Sequence, residues 1–214
     1  MNFIKKYLVL CLFPMIGYSQ YSQNDWAERD TWMPIEKIFE LASISEGSHV
    51  ADIGCHEGYL SIHLANKVGT NGKVYAVDVR EDRLDLLEEH LKTRELNNVS
   101  VILGDYDNPK LPNVSLDVVV IMDTYHEMKD YMTILEHVKL SLKPGGRIVI
   151  IEKQKLKVRD QSRASQTDAH SMSIKYVRKE LINAGFNQLV QKSNIGFWQN
   201  DKDKVIWMLI ATKE

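Results

Sequence analysis

From His49 onward, short apolar runs and stretches of helical periodicity alternate five times, and two strand-like runs then follow one another directly. The first five runs are His49–Ile53, Lys73–Asp78, Val99–Leu103, Leu116–Met122 and 147–151. Between them, Leu60, Leu64 and Val68, and later Leu84, Leu87 and Leu91, recur at helical spacing. Further helices are expected at 130–142 and 173–184, the second closed by Gly185. Leu116–Met122 is almost wholly apolar, as a strand buried on both faces must be. Strand–helix alternation of this kind builds a parallel sheet covered by helices. The last two runs, 186–193 and Lys204–Thr212, finish it as an antiparallel hairpin at one edge. A turn is expected at Pro144-Gly145-Gly146, and the stretch 153–171 reads as polar and irregular.

The 214-residue length suits one domain with short appendages. Residues 1–19 have the three-part layout of a secretory signal: Lys5 and Lys6, an apolar run from Tyr7 to Gly17, and small residues at Gly17 and Ser19. The run is too short to span a bilayer, so cleavage rather than anchoring is expected, and with it export to the periplasm and no stable membrane span. Cleavage removes two positive charges from a formal −2, giving −4, and leaves Cys55 as the lone cysteine. Such a fold must hold by its core alone. No basic field points to nucleic acid. Residues 20–46 read as a helical lead-in, and 47–214 as the main domain.

Open parallel sheets bind ligands beyond the carboxyl ends of their strands. Asp52, Asp78, Asp105 and Asp123 all lie at such ends. The first loop, Asp52-Ile53-Gly54-Cys55-His56-Glu57-Gly58, has glycine at only two positions of a dinucleotide loop, with His56 at the middle one. Acids beside two phosphates would cost about 1–4 kcal/mol per like-charged pair. A ligand without phosphate and with positive charge is favoured, which excludes a nicotinamide cofactor and suits S-adenosylmethionine. On this reading Asp52 orients the ammonium end, Gly54 and Gly58 allow close backbone approach, and Asp78 accepts the ribose hydroxyls. Asp105 accepts from the adenine amino group, Val79 and Tyr106 wall the ring, and Asp123 lies by the sulfonium.

Taken together these segments look familiar. Residues 50–58 resemble motif I of the class I S-adenosylmethionine-dependent methyltransferases, and Lys73–Asp78 resembles the strand and acid that follow it. Gly104-Asp105 resembles the adenine-contacting step, and residues 142–147 the turn before the fifth strand. The lead-in around Trp26–Pro34 is similar to that of small bacterial methyltransferase-domain proteins, where it packs over the cofactor side. The resemblance implies a doubly wound, Rossmann-like α/β fold: a seven-stranded, mostly parallel sheet with one antiparallel C-terminal hairpin strand and helices on both faces. It also implies S-adenosylmethionine as cofactor and a small-molecule methyl acceptor. The family usually has glycine where this chain has His56, so a side chain there takes room from the methionyl end.

Methyl transfer is an in-line displacement that needs alignment and exclusion of water, with a base only where the nucleophile must lose a proton. His126 is the candidate base and Tyr125 the candidate wall of the acceptor pocket. Asp123, His126 and His170 carry metal-ligand chemistry, but their spacing does not demand an ion, and none is expected. Cys55 is expected to pack, and the basic stretch from Arg147 to Arg159 to be a solvated edge. The competing reading is an exported binding module of the same fold without turnover, suggested by His56 and by the cytoplasmic origin of S-adenosylmethionine.

Overall fold

A computed structural model describes residues 23–214; the expected signal segment lies outside them. After a 3₁₀ turn come helices α1 (Trp26–Arg29) and α2 (Ile35–Ala42). The alternating part follows: β1 (His49–Ile53), α3 (Tyr59–Val68), β2 (Lys73–Asp78), α4 (Glu81–Thr93), β3 (Val99–Leu103), β4 (Leu116–Met122), α5 (Tyr131–Ser141) and β5 (Leu142–Lys155). Then come α6 (Arg163–Asp168), α7 (Ile174–Asn183), β6 (Asn187–Phe197) and β7 (Lys204–Thr212).

The seven strands form one sheet in the order β3-β2-β1-β4-β5-β7-β6. Neighbours from β3 to β5 are parallel, whereas β7 runs antiparallel to both β5 and β6. The strand order reverses between β1 and β4, so the crevice at the top of the sheet opens there. This is the doubly wound, Rossmann-like architecture the alternation implies.

Period-two alternation divides the core between the two faces. Val50, Val74, Val118, Val120, Val149 and Ile151 pack with Phe39, Leu60 and Leu64. Their neighbours Ala51, Val119, Ile121, Ile148 and Ile150 pack with Leu135, Val138 and Leu181 on the other face. Met33, Ile35, Ile38, Phe39 and Ala42 from the lead-in join the first of these clusters, so the lead-in shares the core of the sheet.

Several boundaries differ from expectation, among them that of β6, which runs on to Phe197. The turn at Pro144-Gly145-Gly146 is a bulge inside β5, which already pairs with β4 at Leu142↔Leu116 before the register shifts. Gly145, at φ 76°, donates its N–H to the Lys213 carbonyl across that bulge. At its other end β5 continues past Ile151, because β7 extends alongside and pairs Lys153↔Ile206 and Lys155↔Lys204. The stretch expected to be irregular contains α6, whose first turn is capped by the Ser162 hydroxyl accepting from the Ser165 N–H at 3.2 Å.

Candidate functional site

The loop after β1 is folded by its own backbone. Gly54 sits at φ 80°, and a Cβ there would collide with the Thr124 side chain. Gly58, at φ 95° where α3 begins, would drive a Cβ into Leu87. His56 holds the left-handed region at φ 50° with a full side chain. Its N–H donates to Asp78 Oδ2 at 2.9 Å, so the end of β2 is tied to the loop after β1. Burial holds its imidazole below the usual pKa.

Asp52 is buried in β1 and accepts from the Ser61 hydroxyl of α3 at 2.7 Å. Burial pushes its carboxyl up to about 7, against the lowering effect of the Ser61 bond. Cys55 is also buried, its thiol raised well above the usual range by burial and then by Asp52 and Asp78, which suits packing rather than nucleophilic work.

Glu57 lines the cleft with both carboxylate oxygens engaged. Its Oε1 accepts from Arg83 Nη1 of α4 at 2.6 Å, and its Oε2 accepts from the Gln23 N–H at 3.0 Å. At the end of β2, Asp78 accepts one backbone hydrogen bond on each oxygen, the second from the Arg80 N–H at 3.0 Å. Val79 beside it is 37% exposed. Beyond β3, Asp105 pairs with Lys110 Nζ at 3.0 Å in an exposed pair, and Tyr106 is 78% exposed.

Asp123, at φ 54°, closes β4 and is buried. Lys153 Nζ from the extended part of β5 donates to its two oxygens at 2.5 and 2.6 Å, and also lies 4.4 Å from the centroid of the Trp198 ring. The chain then turns away from the crevice. Tyr125 is fully buried among the second core cluster, its hydroxyl donating to Glu180 Oε2 at 2.9 Å. That corrects the expectation that it walls an acceptor pocket: the ring is consumed by the core under the sheet. His126 is 1% exposed, with Nδ1 3.0 Å from both Glu152 oxygens. Burial opposes its charge, but Glu152 outweighs burial and raises its pKa. Glu127, not His126, lines the cleft, so the imidazole does not stand in the crevice as a base.

A cleft of about 870 Å³ at the switch point gathers these strand ends. Asp52, Gly54, Asp78, Val79, Asp105, Tyr106 and Asp123 all line it; Gly58, Tyr125 and His126 do not. A volume of this order suits a nucleoside-sized ligand together with a small partner. The four expected acids therefore share one cavity, though not as four free charges. Lys110 and Lys153 offset two of them, two backbone amides hold the third, and the fourth titrates near neutrality.

The sequence does not single out the cations of the wall, Arg29, Arg80 and Lys129. Arg29 of α1 is buried, lines the cleft, and lies 4.2 Å from the centroid of the Tyr59 ring. It lowers the pKa of Asp52, so the two interact across the cavity wall. The lead-in reaches this position through Trp26, packed edge-on at 6.0 Å against Tyr59, and through Tyr59 itself, whose hydroxyl donates to Asp30 Oδ1 at 2.8 Å. An arginine in a segment rich in tryptophan was the available signal.

Comparison with known proteins agrees with this geometry. A family described as "Methyltransferase domain" matches residues 44–209. The demethylmenaquinone methyltransferase of Geobacillus sp. (strain WCH70) is 32% identical over 117 residues, 55% of this chain and 50% of that protein. Its counterpart in Geobacillus stearothermophilus is 36% identical over 115 residues, 54% and 49% of the two chains. This chain thus spans about half the length of the curated relatives it matches. Among solved structures, a SAM-dependent methyltransferase from Aquifex aeolicus superposes with a TM-score of 0.75 at 26% identity, over 87% of this chain and 93% of that one. Phosphoethanolamine N-methyltransferase 2 of Haemonchus contortus, solved with S-adenosyl-L-methionine, gives 0.70 at 16% identity over 91% and 58%, which speaks for the fold alone.

Proposed function

Since the chain belongs to the methyltransferase-domain family, we propose that it moves a methyl group from S-adenosylmethionine to a small-molecule acceptor by in-line displacement. The observation that carries this reading is the meeting of Asp52, Asp78, Asp105 and Asp123 in one cleft beside Gly54. The residues fit the donor. Asp52 is a buried carboxyl poised to ionise beside an ammonium, and Arg29 supplies a cation for the carboxylate at the same methionyl end. Asp78 retains acceptor capacity on both oxygens for a ribose diol after taking its two backbone bonds. Val79 and Tyr106 offer exposed apolar surface for adenine, with Asp105 at its edge.

The donor, once bound, supplies an electrophilic methyl on a sulfonium. The protein's part is to hold that methyl in line with the acceptor and keep water out, which is where most of the rate of such a transfer originates. The acceptor approaches from the side of Asp123, Thr124 and Glu127, where β4 ends. The names of the curated relatives make demethylmenaquinone the first acceptor to assay.

Calorimetric titration with S-adenosylmethionine, S-adenosylhomocysteine and NADH tests the reading. Micromolar binding of the first two and none of the third is expected. A folded protein that binds neither sulfur nucleoside overturns it and leaves the non-catalytic module. Export is part of the same proposal, and cell fractionation checks it: residues 1–19 found intact on a cytoplasmic protein would refute it.

A further inference from the structure

Behind the rim of the cleft lies a group of side chains that methyl transfer from the donor does not require. His126 Nδ1 stands 3.0 Å from both oxygens of the buried Glu152, and the His126 N–H donates to the same carboxylate at 3.0 Å. In its neutral form, the one a metal binds, an imidazole so held keeps its proton on Nδ1 and presents the lone pair of Nε2. That Nε2 is buried and, among the described residues, meets no hydrogen-bond partner. It stands 3.7 Å from Glu127 Oε1, and His170 Nδ1 stands 3.4 Å from the same oxygen. The donor atoms of these three residues all lie within 4.8 Å of one another.

These spacings exceed those of good hydrogen bonds, which fall near 2.7–3.2 Å. They match what a shared ion requires: two donors about 2.1 Å from a tetrahedral zinc stand about 3.4 Å apart. A carboxylate behind a histidine, fixing its tautomer and aiming its second nitrogen, is also the usual support of a metal ligand. The neighbouring trio Asp123, His126 and Glu152 is less apt, because Lys153 occupies both Asp123 oxygens and Glu152 is engaged with Nδ1.

His170 is held in place rather than drifting on a loop. It follows α6, its N–H donating to the Thr167 carbonyl at 2.8 Å. Helix α6 is fixed from within by Gln166, which is fully buried, donates to the Arg159 and Gln161 carbonyls, and accepts from both the N–H and the hydroxyl of Ser173.

We propose that His126, Glu127 and His170 bind one divalent cation of the zinc class at the rim of the cleft, leaving a coordination position for the methyl acceptor. Two histidines and one carboxylate select zinc or a similar transition ion over magnesium or calcium, which prefer oxygen ligands. Because Glu127 also lines the cleft, the ion faces the acceptor side of β4. The chemical class of acceptor then narrows to one with an ionisable hydroxyl or thiol. Such a group loses its proton to solvent more readily beside the ion. Its lone pair forms the new bond to the methyl carbon as the carbon–sulfur bond of the donor breaks, the electron pair returning to sulfur. This use of the ion rests on the methyl-transfer reading; the site itself does not.

The test is a titration of untagged, chelator-stripped full-length protein with Zn²⁺ against a chromophoric chelator, repeated with Co²⁺ to read coordination from the visible spectrum. One ion per chain at micromolar affinity or tighter is expected, with a tetrahedral cobalt spectrum. His170→Ala and Glu127→Gln change exposed side chains, so both should fold normally and each weaken binding at least tenfold. Glu152→Gln should weaken it 10–100-fold through the orientation of His126. No saturable binding, or binding unchanged in both His170→Ala and Glu127→Gln, overturns the proposal. The same samples titrated with S-adenosylmethionine separate the two readings. Zinc bound without S-adenosylmethionine supports the ion site and removes the methyl-donor reading. S-adenosylmethionine bound by a protein that takes no zinc leaves that reading intact and overturns the ion site.

Discussion

The Ser61 hydroxyl donates to Asp52 Oδ2 at 2.7 Å inside the wall of the cleft, and it is outweighed by burial, which carries the carboxyl up to about 7. A carboxyl whose folded pKa is raised contributes stability that is complete below the unfolded pKa, near 4, and is lost as pH rises through about 7. Asp52→Asn keeps the shape and an acceptor for Ser61 without the charge. It should melt higher than the parent at pH 8, by up to about 4 kcal/mol, with the gap shrinking below pH 7 and closing near pH 3.

The same carboxyl sets the pH dependence of donor binding. A cationic ligand favours the ionised form, so S-adenosylmethionine should bind more weakly as pH falls below about 7, by up to tenfold per unit. Calorimetry between pH 5.5 and 8 reads the slope, and Asp52→Asn should flatten it. A flat profile in the parent would remove Asp52 from contact with the ligand's charge.

His56→Gly tests the departure from glycine in the loop. The left-handed backbone at φ 50° costs a side-chain-bearing residue about 1–2 kcal/mol, and glycine gives back about 0.5–1 kcal/mol through its freer unfolded chain. Thermal stability should therefore change by about 1 kcal/mol or less. S-adenosylmethionine affinity should rise, since His56 lines the cleft. Unchanged affinity would show that the imidazole leaves the methionyl end free.

Arg29→Met should raise the dissociation constant for S-adenosylmethionine tenfold or more while retaining most of the packing of the long side chain on Tyr59. Arg29→Lys should recover part of the loss. If affinity is insensitive to both, the guanidinium serves to anchor the lead-in and nothing else.

Lys153 and Asp123 form a buried pair, and removing one partner leaves the other charge uncompensated. Lys153→Met should cost about 3–5 kcal/mol in denaturant melts. The double variant Lys153→Met/Asp123→Asn should be closer to the parent than the single one. A single variant costing under 1 kcal/mol would mean that the pair is solvated in solution.

How far the site could be read in advance depended on the range of the interactions that build it. Asp52, Asp78, Asp105 and Asp123 were legible because each ends an apolar run, and parallel strands bring their carboxyl ends to one edge by construction. The pairing of Glu57 is not legible in its loop, because its partner Arg83 lies on α4, a helix and a strand further along the chain. Tyr125 was misplaced because nothing local says that the backbone dives under the sheet after Asp123. His126 and His170, 44 positions apart in the chain, meet with ring centroids 5.7 Å from each other only because α6 folds back over the end of β4.

The sequence by itself determined the mostly parallel sheet, its closing hairpin and the edge at which ligands gather, since hydrophobic periodicity and strand ends are properties of neighbouring residues, whereas the strand order came from the tertiary structure. Only the tertiary structure decided which of the gathered charges stay free. Charge state in a cavity depends on burial and on partners brought from distant elements, as Lys153 is brought to Asp123 and Arg29 to the side of Asp52.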